Sequence, residues 1–502
     1  MHQPKAYFAV ATLTLTPLLI FLTILNYFND LSRHLKLAAV TTFSIFYIYL
    51  LTTYTLPFLR SPLRHLPHSP NTRFLLGNTL DRLSSPPGWR FHHFTRTIPN
   101  SGLICLRGLL HRSDILLVTT PAVAKQVLVD HAYCYEKTAV TRQFLRRFLG
   151  EGLVTVEGTH HKTLRKAVAP AFAGKHIRAL TPLMWAKSLE FVNVIASQRS
   201  SSNVVELSAI ASHATLDIIG VACLGRDFAS LSHADDELAV LYQAIFDPDN
   251  KAIQLYFGVT LLLGGRLTRL LPWSMNALVL DAETRLRRIC GTLLEEGRAR
   301  AAAREVARRE GEKEKEEDVD ILSVLLRSKT PLDDAALVSQ LLTFLAAGHE
   351  TTSSQITWTC YLLAAYPAVQ ERLRAEVMQH LTNSGSQTLQ PTADTFASLP
   401  FLDAVISESL RLYPTVPNSV RIATTPTSLQ TADGAVFPVA VGTQIVLPIW
   451  AIQRDEKLWG EDAEVFRPER WLEEGDANRN PYALLAFLGG PRSCIGQVSC
   501  EL

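Results

Sequence analysis

Phe487-Leu488-Gly489-Gly490-Pro491-Arg492-Ser493-Cys494-Ile495-Gly496 lies a few residues from the C-terminus and has the form F-x-x-G-x-R-x-C-x-G. One cysteine sits in a glycine-rich turn, with an arginine two residues before it. Such a loop suits a thiolate ligand to haem iron. A soft anionic sulfur holds the metal and pushes electron density onto it, which favours O–O cleavage. Cys494 is the candidate ligand. The glycines allow close backbone approach to the iron and aim N–H groups at the sulfur. Arg492 is matched to an anionic propionate. A buried structural cysteine beside an ordinary turn is the competing reading; five fixed positions within ten residues weigh against it.

Upstream, Glu408-Ser409-Leu410-Arg411 lies on a helix that the pattern ends before Pro414. Positions i and i+3 share a helix face, so Glu408 and Arg411 can meet. Leu402, Val405, Ile406, Leu410 and Leu412 make that face partly buried. A buried pair needs further hydrogen bonds to offset desolvation. Arg470, in Phe466-Arg467-Pro468-Glu469-Arg470-Trp471, is the candidate third member. Alone, E-x-x-R is a weak signal, because surface pairs of this spacing are common.

Further upstream, Thr330-Pro331 reads as a helix start, a cap residue followed by proline at the first position. The helical pattern runs to about Tyr366, where Pro367 stops it. Leu341, Leu342, Phe344, Leu345, Ala346 and Ala347 make the middle apolar all round, which predicts a core helix. In that middle stands Ala347-Gly348-His349-Glu350-Thr351-Thr352. A mid-helix glycine costs about 1 kcal/mol against alanine, so a reason is expected: close approach of a flat ligand, or a local opening for water. Glu350 and Thr351 beside that opening form an acid–alcohol pair able to pass protons to bound oxygen. The competing reading is a kink whose threonine hydroxyls bond back to the preceding turn.

The chain has 502 residues, 49 Lys and Arg against 47 Asp and Glu, and seven cysteines without a C-x-x-C pair. The near-balanced charge gives no pointer to nucleic acid, and the cysteine usage fits free thiols rather than a disulfide framework. The N-terminal part reads as a membrane anchor over residues 1–60, with candidate spans at 6–28 and 37–59. A cleaved signal peptide competes for the first stretch, but its apolar run is long and no small-residue cleavage site follows. Lys5, Arg33, Lys36, Arg60 and Arg64 put positive charge on both sides of both spans, so one span is expected to lie in the interface or re-enter. Pro62, Pro67 and Pro70 mark a stiff hinge to a single large domain over residues 61–502. The charged run from Arg298 to Asp320 reads as a solvated helix end and loop.

Together these motifs resemble the cytochrome P-450 superfamily of haem-thiolate monooxygenases in its membrane-anchored eukaryotic form. The cysteine loop, the A-G-x-E-T-T helix, the E-x-x-R helix and the P-E-R segment occur in the family's order, from about Pro67 to Gly496. The resemblance implies a mainly α fold with small β-sheets and haem b between the central helix and the cysteine loop. It implies insertion of one oxygen atom of O2 into an apolar substrate. His161-Lys162-Thr163-Leu164-Arg165 resembles the W/H-x-x-x-R segment that reaches a propionate, which makes His161 and Arg165 candidates. Arg421 resembles the arginine that binds the other propionate, and Phe487 and Gly496 complete the cofactor set. Leu341, Phe344, Ala347 and Val416 are expected at the substrate. Asp433-Gly434 and Gly442-Thr443 look like turns of the small sheet.

No nicotinamide or flavin fingerprint is seen, so electrons are expected from an NADPH-dependent flavoprotein reductase, with cytochrome b5 as an alternative donor. Lys162, Arg165, Lys166, Lys175 and Arg178 are candidates for the docking face. The expected location is the endoplasmic reticulum membrane, with the haem domain cytosolic. Gln453 stands where the family often has histidine. The family pattern is lost directly after Gly496 and Gln497, where relatives continue with a helix beneath the haem and a pocket hairpin. The sequence reading therefore expects a truncated product that holds haem weakly. A non-catalytic remnant, or an isomerase or dehydratase needing no external electrons, are the alternatives.

Overall fold

The computed structural model describes residues 33–50, 61–70, 77–78, 81, 86, 88–108, 114–201, 204–233, 237–246, 251–309, 320–328, 331–383, 391–473, 475 and 480–501. The candidate span 6–28 lies outside them, as do residues 51–59 of the second. Among the described residues the strands are β1 (Leu103–Arg107), β2 (Asp114–Val118), β3 (Tyr135–Glu136), β4 (Ser419–Ala423), β5 (Thr427–Gln430), β6 (Val436–Val439) and β7 (Gln444–Leu447). The helices needed below are α1 (Arg33–Leu50), α2 (Ala139–Leu149), α3 (Gly158–Val168), α4 (Leu207–Leu224), α5 (Glu237–Phe246), α6 (Ser274–Arg309), α7 (Asp334–Ala365), α8 (Pro400–Leu412) and α9 (Gln497–Glu501). The architecture is mainly helical, as expected. The chain forms two compact units.

One unit comprises residues up to Ala124 together with Ala423–Pro448. β1 pairs antiparallel with β2 (Leu103 opposite Val118), and β2 pairs parallel with β7 (Ile115 opposite Gln444). Every residue of β1 is buried, so its apolar run is covered on both faces. β5 and β6 form a hairpin around Asp433-Gly434, where Gly434 takes φ +83° and Asp433 Oδ1 accepts from Thr431 Oγ1 at 2.6 Å. The proline stretch is more than a hinge: the Pro67 carbonyl accepts from the Cys105 N–H at 2.8 Å and His68 bridges to Cys105. Helix α1 leaves Leu37, Ile45, Phe46, Ile48 and Tyr49 exposed.

The other unit comprises Lys125–Ile422 and Ile449–Leu502. β3 and β4 pair within it. Its core gathers Leu216, Leu286, Leu293, Leu341, Leu342 and Leu345 around α7. The helix is apolar all round because α4, α6 and α2 cover it. α4 is the one described helix long and apolar enough to cross a membrane, yet 61% of that window is buried, which marks it as a core helix.

The start of α7 differs from expectation. It begins at Asp334, not after Thr330, because the Asp333 carboxylate accepts from the Ala336 N–H at 2.7 Å and outcompetes the proline as the start signal. Its end at Ala365, before Pro367, agrees with the sequence pattern. α8 starts with Pro400 at its first position and stops before Pro414. Of the charged run, Arg298–Arg309 is helical, residues 310–319 lie outside the described set, and Asp320 caps the next helix by accepting from Ser323 N.

Candidate active site

The cysteine loop closes on itself where the Cys494 N–H donates to the Phe487 carbonyl at 3.0 Å. Leu488 takes φ +58°, a strained value for a residue with a branched side chain. Gly490 takes φ +71°, and a Cβ there would run into the Leu128 carbonyl. A Cβ at Gly489 would lie 2.8 Å from Tyr482. These two glycines serve packing of the loop against its own neighbours. Gly496 differs, since a Cβ there would meet open space. Cys494 is exposed although protein surrounds it on most sides, so its thiol faces an opening. Burial pushes that thiol up, while the Gly496 N–H and Arg165 pull it back.

Beside the loop lies a group of cations gathered around one carboxylate. Arg492 donates to the carbonyls of Ala132, at 2.8 Å, and Tyr135. Its Nη2 lies 2.6 Å from Glu157 Oε2, off the hydrogen-bonding direction, so both atoms and Arg492 Nε have no hydrogen bond. Lys137 Nζ reaches Glu157 Oε1 at 3.7 Å. Arg421, on β4, is buried and donates to Ser419 Oγ at 2.7 Å. Burial, with Arg492 nearby, lowers its guanidinium to about 10 against the partial support of Glu157. Burial, then Arg421, lowers Lys137 to about 8. His161, on α3, is buried with Nδ1 3.2 Å from Tyr133 Oη, and burial with Arg492 and Lys137 lowers it to about 4. Arg165 donates to the Ser493 carbonyl at 2.6 Å. Lys137, Arg421 and Arg492 thus share one acid, Glu157, with Arg165 next to the cysteine loop.

At the centre of α7, six consecutive buried residues, Leu341–Ala346, are followed by exposed Ala347. Gly348 does not face that opening. A Cβ on it would lie 2.5 Å from Ile219 Cδ1 of α4, so the glycine lets two core helices approach. This corrects the expectation that it accommodates a ligand. Thr351 Oγ1 donates to the Ala347 carbonyl at 2.6 Å, the back-bonded geometry named as the competing reading. Thr351's own carbonyl accepts from Thr415 at 3.3 Å, and Thr352 Oγ1 lies 3.8 Å from Cys500 Sγ of α9. The Glu350 side chain is 33% exposed and its Oε1 lies 3.1 Å from His349 Nε2. Among the expected substrate contacts, Ala347 and Val416 are exposed. Leu341 is fully buried, and Phe344 packs edge-to-face on Phe172 at 5.1 Å, so these two belong to the core.

Glu408 and Arg411 pair in bidentate fashion, both contacts at 2.8 Å and both residues fully buried. Arg470 is the third member, its Nε 2.9 Å from Glu408 Oε1. Trp471 Nε1 and the Arg467 N–H also donate to Glu408, each at 3.0 Å. The remaining Arg411 donors reach the carbonyls of Gln453, Ala463 and Val465. Burial raises Glu408, but the hydrogen bonds and charges of Arg411 and Arg470 outweigh it and hold the carboxyl below 4.5.

A flat dianion with a thiolate-seeking metal fits the residues present. The buried cations exceed the carboxylates around them, donor atoms stand unmatched, and the thiol and Gly496 border open space. A cytochrome P450 family model matches residues 67–498. The chain belongs to the cytochrome P450 family. Similar proteins include the cytochrome P450 monooxygenase sphH of Aspergillus fumigatus, 38% identical over 449 residues, which are 87% of this chain and 80% of that protein. The cytochrome P450 monooxygenase ALT8 of Alternaria alternata is 32% identical, covering 87% of this chain and 81% of its own length. The cytochrome P450 monooxygenase buaD of Petromyces alliaceus is 32% identical, covering 97% and 87%.

Family membership implies haem-thiolate chemistry with O2. The structure brings His161, Arg165, Arg421 and Arg492 to one cluster and the Glu408, Arg411 and Arg470 charges to another. Lys137 and Glu157 were not expected from the sequence, and Gln453 was noted only as a departure from the family's histidine. Lys137 and Glu157 sit on either side of α2 in unmarked sequence, and nothing short of the fold brings them to Arg492. Gln453 had a signal, its departure from histidine. Its Nε2 donates to the Leu410 and Arg411 carbonyls at 3.0 and 2.9 Å, and its Oε1 accepts from the Leu485 N–H at 2.7 Å. It ties the end of α8 to the approach of the cysteine loop.

Proposed function

We propose that this cytochrome P450 is a haem-thiolate monooxygenase that places one oxygen atom of O2 into an apolar organic substrate, with electrons from an NADPH-dependent flavoprotein reductase. The observation that supports it best is the excess of buried cations beside an open thiol loop. Cys494 would hold the iron of haem b, and Lys137, Arg421 and Arg492, with Arg165 at the loop, would hold its carboxylates. When bound, the haem supplies dioxygen activation and one-electron chemistry.

The chain supplies the rest. Arg165 and the Gly496 N–H favour the ionised form of the Cys494 sulfur. Glu350 keeps one carboxylate edge open and exchanges protons there. Thr351, its hydrogen directed to the Ala347 carbonyl, offers its oxygen lone pairs as an acceptor beside that edge. The small Ala347 leaves room, and Val416 offers an apolar wall. Lys162, Lys166, Lys175 and Arg178 are exposed and form a basic surface suited to an acidic reductase, whereas Arg165 turns inward. The exposed apolar residues of α1 suit a lipid surface, in keeping with an endoplasmic reticulum anchor.

The test is expression in a membrane host, a reduced carbon monoxide difference spectrum, and reductase-driven oxygen consumption. A thiolate-type Soret band is expected for the wild type and none for Cys494→Ala. A band that survives Cys494→Ala and disappears in Cys500→Ala would reassign the ligand.

A further inference from the structure

Where α2 ends against the start of α7, an open cavity of about 490 Å³ is lined chiefly by charged side chains. Space of that size holds a small organic molecule. Four guanidiniums reach it, from Arg146 and Arg147 of α2, Arg269 of the short helix Gly265–Leu270 and Arg287 of α6. Three carboxylates line it too, and each is already engaged. Glu151 Oε2 lies 3.1 Å from Arg146 Nη2, Glu283 Oε1 lies 3.6 Å from Arg287 Nε, and Asp333 caps α7. Among the described residues no carboxylate pairs with Arg147 or Arg269.

Arg147 is 8% exposed. Its Nη1 donates to the Tyr256 hydroxyl, and the guanidinium lies 5.6 Å from the centre of the Tyr256 ring. The Tyr256 hydroxyl donates in turn to Asn276 Oδ1 at 3.0 Å, and Asn276 Nδ2 donates to the carbonyls of Thr268 and Leu271, each at 2.9 Å. Those two carbonyls bracket Arg269. One chain of hydrogen bonds therefore fixes both unpaired arginines, the first by its guanidinium and the second by its backbone. Arg147 Nε is enclosed without a hydrogen bond. Nη2 has no partner among the described residues either, but it is not enclosed, so this edge of the fork is presented to the cavity. A nearly buried cation held from behind, with no acid in front of it, is costly unless water or an anion fills the space it faces.

We propose that this cavity binds a phosphate ester, with Arg147 and Arg269 as its charge partners. Two unpaired guanidiniums match a phosphate monoester, which carries about −1.5 to −2 at neutral pH. The planar arginine fork suits two phosphate oxygens at once. The start of α7 adds little, since Asp333 already occupies it. Glu151 and Glu283 limit what enters, because a larger polyanion would meet them. Two sources carry such a group: a free organic phosphate, or an anionic phospholipid whose tails lie over Leu267 and Leu270, exposed on either side of Arg269. No residue of this cavity belongs to the cysteine loop or to the cations around Glu157.

The experiment uses the full chain in detergent and reads binding, not turnover. Phosphorus NMR follows glycerol phosphate as protein is added, and thermal melting follows the same titration. Saturable line broadening and a higher melting temperature are expected for the wild type. Arg269→Gln, at an exposed position, should weaken binding at least about tenfold, the worth of one charge-assisted hydrogen bond. Arg147→Lys keeps the charge but loses the fork and should weaken it by a similar factor. Arg266→Gln, exposed on the same short helix but outside the cavity, should bind as the wild type does. Short-chain phosphatidic acid, kept below its micellar concentration, separates the sources. Tighter binding than glycerol phosphate assigns a lipid head group, and equal or weaker binding a free phosphate ester. No saturable binding of either probe overturns the proposal and leaves a merely wet cavity. Equal weakening in Arg266→Gln also overturns it, as diffuse attraction, and so does unchanged binding in Arg269→Gln, whatever Arg147→Lys does.

Discussion

Two charged clusters lie in the same compact unit and are built on opposite principles. Around Glu408 every charge is answered. Two arginines, a tryptophan N–H and a backbone N–H converge on one carboxylate, and the spare arginine donors end on carbonyls. Around Glu157 the cations outnumber the acid, and Arg492 Nε and Nη2 make no hydrogen bond although Nη2 lies 2.6 Å from Glu157 Oε2. Burying an unpaired charge costs several kcal/mol, so a stable fold tolerates the second arrangement only where a guest completes it. On the proposed function the first cluster is structural and the second receives an anion. The same substitution, arginine to alanine, should therefore act in opposite ways in the two places.

The largest effect is expected at Arg411. Arg411→Ala removes the bidentate partner of buried Glu408, leaving Arg470, Trp471 and the Arg467 N–H, and empties a fully buried site, so it should cost about 3–5 kcal/mol, enough to lose much of a domain's margin. Thermal melting and haem content measure it. A soluble, normally melting Arg411→Ala protein would show that the network is dispensable and would erase the contrast.

Arg421→Ala comes next and separates the clusters most sharply. Losing a charge-assisted hydrogen bond to a propionate should weaken haem retention by about 1.5–3 kcal/mol, or roughly ten- to hundredfold. The haem-free protein should melt no lower than wild type, since a crowded cation is removed. A haem-free Arg421→Ala chain that melts several degrees lower would place Arg421 with the structural charges.

How much of this contrast was legible depended on whether each partner lay nearby in sequence. Glu408 and Arg411 are one turn apart and Arg470 sits in a recognisable segment, so the balanced cluster could be read directly. The receptor could be read only in its motif members. Arg492 and Arg421 were visible; Glu157 and Lys137 were not, because tertiary folding alone assembles them. Gly348 shows the opposite failure. Its motif was seen, but its cause, the approach of Ile219, belongs to a helix over a hundred residues away. The anchor could be compared only through α1, where the apolar stretch Val40–Tyr49 is present but shorter than a span.

Gln453 tests the joint between the balanced network and the cysteine loop. Gln453→Leu leaves the Leu485 N–H and two carbonyls of α8 without partners and should cost about 1–3 kcal/mol. Gln453→His, which keeps a donor and an acceptor, should cost less. Equal melting of the two variants would mean that packing, not hydrogen bonding, fixes this position.

The smallest expected effect is a pH dependence, and it separates the clusters without disturbing either. In the haem-free chain, burial and then Arg421 lower Lys137 from 10.5 to about 8. Its folded value lies below its unfolded value, so the charged lysine is penalised in full below pH 8. The fold then gains stability as pH rises from about 8 toward 10.5. A bound dianion reverses the balance by favouring the protonated amine, so binding takes up a proton in that window. Haem affinity should fall as pH rises above about 8, by at most about tenfold per pH unit for one proton. Glu408 has the opposite sign: its depressed carboxyl contributes stability that is present above pH 4.5 and lost as pH falls below it. Haem titration of the wild type and of Lys137→Met across the alkaline window gives the decision. A slope in the wild type that flattens in Lys137→Met supports an anion receptor. A flat wild-type profile would show that Lys137 faces no bound anion, and the receptor would shrink to the arginines.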